Sequence, residues 1–95
     1  MENQEFSGKV AIITGATSGI GRATAQKLAS GGAKIIAVGR NETALQSLQN
    51  DSQTFNSNNL KVVKADVSNE ADAQNIVSHT IEAFGAIDIL VNAAG

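Results

Sequence analysis

The stretch Thr14–Gly21, "TGATSGIG", decides how the rest of the chain reads. It follows "KVAIIT" (Lys9–Thr14), a short β-branched apolar run of the kind that forms a strand buried on both faces. It precedes "GRATAQKLAS" (Gly21–Ser30), whose alanines favour a helix. A glycine-rich turn between a buried strand and a helix is built for close approach. Gly15 can make the sharp turn, Gly19 lets a phosphate reach the backbone, and Gly21 lets the helix pack against the strand. The helix start offers free N–H groups and partial positive charge to a pyrophosphate. The spacing is G-x-x-x-G-x-G rather than G-x-G-x-x-G. It is not a Walker loop either, since Arg22 and Ala23 follow Gly21 where Lys and Ser/Thr would stand.

Outward from the turn, strand and helix alternate. Ile20, Thr24 and Leu28 recur every four residues with Ala23 beside them, which predicts an inward stripe of Ile20, Ala23 and Leu28. Gly31 and Gly32 end that helix. "KIIAVG" (Lys34–Gly39) is a second strand. A helix over Glu42–Gln49 follows, capped by Asn41, with Leu45 and Leu48 inward. Asn50–Asn59 is polar and reads as a surface connection. "LKVVKA" (Leu60–Ala65) is a third strand. Ser68 is the expected cap of a third helix, with Ala73, Ile76, Val77, Ile81 and Phe84 on one face and Gly85 as its end. "IDILVN" (Ile87–Asn92) reads as a fourth strand of the buried type, which in this chain becomes a sheet edge whose "ILV" would expose apolar side chains. The order βαβαβαβ predicts an α/β fold: a doubly wound parallel sheet of order 3-2-1-4, with right-handed crossovers. The first two helices should cover one face and the third the other.

Ninety-five residues, 42% hydrophobic, suffice for one small domain that buries roughly 65% of its extended-chain surface. The net charge is −2 with no charge run, which speaks against nucleic-acid or membrane-surface partners. Cysteine is absent, so there is neither a disulfide framework nor a cysteine metal site. "MENQEFSGK" has no apolar core of a secretory signal, and no run is long enough to span a membrane. The expected location is cytoplasmic. His79, Asp72 and Glu82 read as solvent-facing helix residues, and Phe6 as a packing anchor.

"TGATSGIG" resembles the T-G-x-x-x-G-x-G turn of the short-chain dehydrogenase/reductase family. "ADV" (Ala65–Val67) and "VNAAG" (Val91–Gly95) resemble two further markers, so the resemblance covers nearly the whole chain. It implies a Rossmann-type sheet that binds NAD or NADP. By position, Gly15, Thr17, Ser18, Gly19 and Gly21 would wrap the cofactor, with the Ile20 N–H facing the pyrophosphate. Asp66 would bond the adenine amino group, and the Val67 backbone would read the adenine edge. Asn92 and Gly95 would support the adenosine side and brace the sheet. Ala93 belongs to the same marker but stands where the family usually has a second asparagine, which weakens any bracing there.

The end of the second strand discriminates between the dinucleotides. NAD-binding folds place a carboxylate there; here Gly39 is followed by Arg40, 25 residues past Gly15. An arginine fork suits a 2′-phosphate, and Ser18 and Asn41 could add hydrogen bonds, so NADP is expected ahead of NAD.

The resemblance also implies hydride transfer at a carbonyl or alcohol carbon, with a tyrosine acid/base in a Tyr-x-x-x-Lys motif beyond the "NAAG" strand. The chain has no tyrosine. It therefore reads as the dinucleotide-binding half of a longer, homo-oligomeric enzyme, inactive alone and loosely like 3-oxoacyl-carrier-protein reductases. A fragment, an incomplete gene model or a short isoform fit equally. Other readings are a non-catalytic dinucleotide module, or a sugar-nucleotide epimerase relative, whose T-G-x-x-G-x-x-G turn is not matched.

Overall fold

The computed structural model of the chain describes residues 5–17, 19–51, 55 and 57–93. The central strand β1 (Val10–Thr14) is buried along its whole length. It leads through the glycine turn into α1 (Gly19–Ser30), then β2 (Lys34–Gly39) and α2 (Glu42–Gln49). A 3₁₀ turn at Ser57–Asn59 precedes β3 (Leu60–Lys64), α3 (Glu70–Phe84) and β4 (Ile89–Asn92). The strands pair in parallel in the order β3-β2-β1-β4. The fold is thus the doubly wound α/β arrangement expected from the alternation of elements.

The two faces carry separate cores. Ala11, Ile13, Ile35 and Ala37 pack with Ala25 and Leu28 of α1 and Leu48 of α2. On the other face Ile12, Ile36 and Val38 meet Ile76 and Phe84 of α3. Phe6 packs against the first core, and its backbone N–H donates to the Gly31 carbonyl at 2.8 Å. Phe55 is buried in the same core, so the polar connection after α2 contains an apolar anchor. β4 is tied to β1 at its start by Asp88, whose Oδ2 accepts the Val10 N–H at 2.9 Å.

Several inward faces differ from those expected. In α1 the buried residues are Gly21, Ala25 and Leu28, while Ile20 is 81% exposed and Ala23 is also outside. The helix starts at Gly19, and its phase is set by Gly21, which must face β1. In α3 the buried residues are Ile76 and Thr80, with Val77 and Ile81 about half exposed. Thr80 hides its hydroxyl by donating to the Ile76 carbonyl at 2.7 Å, so a polar residue occupies the stripe. The cap of α3 is Asn69 rather than Ser68; the Asn69 side chain accepts from Ala71 and Asp72. β4 behaves as the edge strand expected: Ile89 and Val91 pack on the α1 and α2 face, and Leu90 is 68% exposed. Among the described residues no helix is long and apolar enough to cross a membrane.

Candidate functional site

The C-terminal ends of the strands open into one cleft of about 610 Å³. In a doubly wound sheet, this end is where ligands bind, at the point where strand order reverses. Here the reversal is at β1, which has β2 on one side and β4 on the other. Four connections wall the cleft. After β1 come Gly15 and Thr17; after β2, Arg40 and Asn41; after β3, Asp66, Val67 and Ser68; after β4, Ala93. The floor is made by Val38, Gly39 and Ala65.

The turn has the shape its glycines permit. Gly15 and Gly19 adopt φ of 67° and 58°, in the left-handed region that favours glycine. A side chain on Gly21 would strike the carbonyl oxygen of Gly15, so α1 lies directly on the turn. A side chain on Gly19 would meet nothing within 4 Å. The turn is therefore closed on its strand side at Gly21 and open at Gly19.

Charge is divided across the cleft. The Arg40 side chain is exposed and, among the described residues, has no ion-pair partner. Asn41 caps α2, its Oδ1 accepting the Ala44 N–H at 3.0 Å, which leaves its amide nitrogen as a donor. Opposite, Asp66 Oδ1 accepts both the Ser68 hydroxyl at 2.6 Å and the Ser68 N–H at 3.0 Å. These bonds hold the Asp66 carboxyl below the usual aspartate range, with a smaller contribution from the Arg40 charge. Asp66 thus stays ionised near neutrality. The Asp66 N–H donates to Asp72 Oδ2 at 2.8 Å. Asp72 is accordingly a half-buried strut rather than a solvent-facing helix residue. Among the described residues nothing takes the Val67 N–H or bonds Asp66 Oδ2.

Of the residues singled out from the sequence, Gly15, Thr17, Arg40, Asn41, Asp66, Val67 and Ala93 share this cleft. Gly19 and Gly21 shape the turn beside it. Ile20 is exposed at the start of α1. Asn92 accepts a bond from the Thr14 hydroxyl at 2.9 Å, tying β4 to β1. Ser18 and Gly95 lie outside the described residues. Gly39, Ser68 and Asp72 were not singled out as site residues. The signal for Ser68 was present: a serine two residues after an aspartate is a common side-chain-to-backbone turn.

The short chain dehydrogenase family model matches residues 9–95. An uncharacterised oxidoreductase of Staphylococcus haemolyticus is 44% identical over 91 residues, 96% of this chain and 38% of its own length. The 11-beta-hydroxysteroid dehydrogenase A of Sesamum indicum is 40% identical across 98% of this chain and 27% of its own. The chain thus spans well under half the length of these relatives. Among solved structures, the glucose dehydrogenase of Caenorhabditis elegans superposes with a TM-score of 0.89 at 43% identity, over 95% of this chain and 39% of that one. Two others hold cofactor. The C-domain of a bacterial malonyl-CoA reductase, with NADP, has a TM-score of 0.88 at 35% identity over 97% of this chain and 15% of that one. A short chain dehydrogenase/reductase of Burkholderia phymatum, with NAD, has a TM-score of 0.83 at 41% identity over 90% of this chain and 30% of that one. With the family model and these relatives covering nearly all of its residues, the chain belongs to the short-chain dehydrogenase family.

Proposed function

We propose that these 95 residues are the dinucleotide-binding part of an NADP-preferring oxidoreductase that interconverts carbonyl and alcohol groups. The observation that carries it is the pairing of an open glycine turn with an arginine at the end of β2 that has no ion-pair partner among the described residues. Gly15, Gly19 and Gly21, with the Ile20 N–H, would hold the pyrophosphate at the α1 N-terminus. Asp66 Oδ2 and the Val67 N–H offer an acceptor beside a donor, the complement of adenine's amino group and ring nitrogen. Arg40 and the Asn41 amide nitrogen would take the 2′-phosphate, with no carboxylate at the end of β2 to repel it.

Bound NADPH would supply the hydride. This chain binds and orients; it has no tyrosine to move the proton. In this reading the acid/base lies in sequence outside these residues, and the 95-residue chain alone turns over no substrate. The substrate is named only as a carbonyl or alcohol, because relatives are named for sugars and for steroids. A non-catalytic dinucleotide module is the second reading, favoured by the missing tyrosine.

The test is the dissociation constants of NADPH and NADH for the unmodified chain, Arg40→Ala, and Gly39→Asp combined with Arg40→Ser. A charge-assisted bond to the phosphate contributes about 1.5–3 kcal/mol, or roughly 10- to 150-fold. Exposure of Arg40 places the expected loss near the lower end, and salt should reduce it. The double change should favour NADH. A Cβ at Gly39 would sit 3.1 Å from Thr17 Cγ2, so Thr17 must yield by a few tenths of an ångström. Unchanged NADPH affinity in Arg40→Ala defeats the assignment.

A further inference from the structure

Asp66 and Val67, in the loop after β3, line the cleft, and among the described residues Asp66 Oδ2 and the Val67 N–H have no hydrogen-bond partner. Neither is useful unless the backbone between them is fixed. Ser68 fixes the side chain of Asp66 through its Oδ1. The Asp66–Val67 peptide is held at its carbonyl, which accepts the Asn69 N–H at 2.9 Å, and the peptide before it is fixed by a different residue. Asp72, in the first turn of α3, reaches back six positions and accepts the Asp66 N–H at 2.8 Å. Asp72 is in turn held by its own N–H, which donates to the Asn69 cap at 3.2 Å. One peptide earlier the Ala65 N–H donates to the Gly39 carbonyl at 2.9 Å. The loop is clamped between the end of β2 and the start of α3.

We propose that Asp72 is a positioning residue for adenine recognition: by accepting the Asp66 N–H, its carboxylate sets the angle at which Asp66 and the Val67 N–H meet the base. The inference rests on the dinucleotide reading above. It assigns no contact between Asp72 and the cofactor. The role needs an oxygen acceptor at that place, not a charge, so asparagine should serve and alanine should not.

The experiment compares NADPH with its hypoxanthine analogue, in which the 6-amino donor is replaced by an oxygen and the ring nitrogen becomes a donor. Both complements are then reversed. The unmodified 95-residue chain should prefer the adenine form by about tenfold or more, the scale of one charge-assisted bond. Asp72→Ala should lower NADPH affinity several-fold and shrink the adenine preference to less than half its value. Asp72→Asn should keep both within about twofold. Amide exchange in the unmodified chain gives a readout that needs no variant: the Asp66 N–H should exchange more slowly than that of Val67.

Equal exchange of the two amides overturns the proposal. So does an Asp72→Ala chain that loses both nucleotides in the same proportion, or an Asp72→Asn chain that behaves like alanine. If the unmodified chain binds both nucleotides equally, Asp66 does not read adenine; the inference falls and the dinucleotide reading stands. If it binds neither, the dinucleotide reading falls and takes the inference with it.

Discussion

At Gly21, two effects of adding one methyl group oppose each other. Alanine is better than glycine in a helix by about 1 kcal/mol. A Cβ at this position, however, meets the Gly15 carbonyl oxygen and lies 3.2 Å from Ala93 Cβ. The obstacle is backbone, not the end of a flexible side chain, so it can yield only by moving the turn or α1. Overpacking of this kind costs about 1–3 kcal/mol, occasionally more. The clash should win, with Gly21→Ala destabilising the chain by up to about 2 kcal/mol net. The urea midpoint measures it. A midpoint at or above that of the unmodified chain would show that α1 is not seated on the turn. The same close approach explains why a glycine sets the phase of α1, overriding a large apolar residue at Ile20.

At the scale of elements, α3 shows what local sequence can and cannot specify. Ser68 and Asn69 are adjacent and both suit a helix cap. Ser68 is drawn off by Asp66, and Asn69 takes the Ala71 and Asp72 N–H groups. Asn69→Ala should therefore cost about 1 kcal/mol, while Ser68→Ala should cost less, as thermal unfolding of the two variants would show. A larger loss in Ser68→Ala would reverse the assignment of the cap. Strand order, helix order and the glycine turn were all legible, because they rest on periods and on residues with few alternative uses. Helix faces were less so. In α3 spacing placed Ala73, Ile76, Val77, Ile81 and Phe84 on one inward face. The sheet took Ile76 as expected, left Val77 and Ile81 about half exposed, and took Thr80, which an internal hydroxyl bond makes tolerable. Most residues that line the candidate cleft were legible from the turn and strand-end motifs. Asp72 was not, because an acidic residue in a first helical turn already has a sufficient role toward the helix dipole. Its bond to Asp66 depends on how the loop folds back.

For the whole molecule, the sheet has an asymmetry that bears on its behaviour in solution. β1 is fully enclosed, but β4 ends the sheet and pairs on one side only. The register sets Leu90 beside Ile12, on the face covered by α3. α3 covers Ile12, which is 3% exposed, and leaves Leu90 68% exposed. An edge strand with an uncovered leucine is a template for pairing with another chain. The 95-residue chain should therefore self-associate as its concentration rises, seen as growth in mass by light scattering. Leu90→Lys should suppress that growth, because a charge on an edge strand opposes pairing. It should leave stability nearly unchanged, since the inward residues Ile89 and Val91 stay in the core shared with α1 and α2. The two measurements separate the causes of association. If Leu90→Lys unfolds the chain, Leu90 is part of the core and the exposed edge is not the source. If the unmodified chain stays monomeric at high concentration and unfolds cooperatively, β4 is protected despite its exposure and the argument from the edge fails. Suppressed association with an unchanged unfolding midpoint would place the liability on this one face of β4.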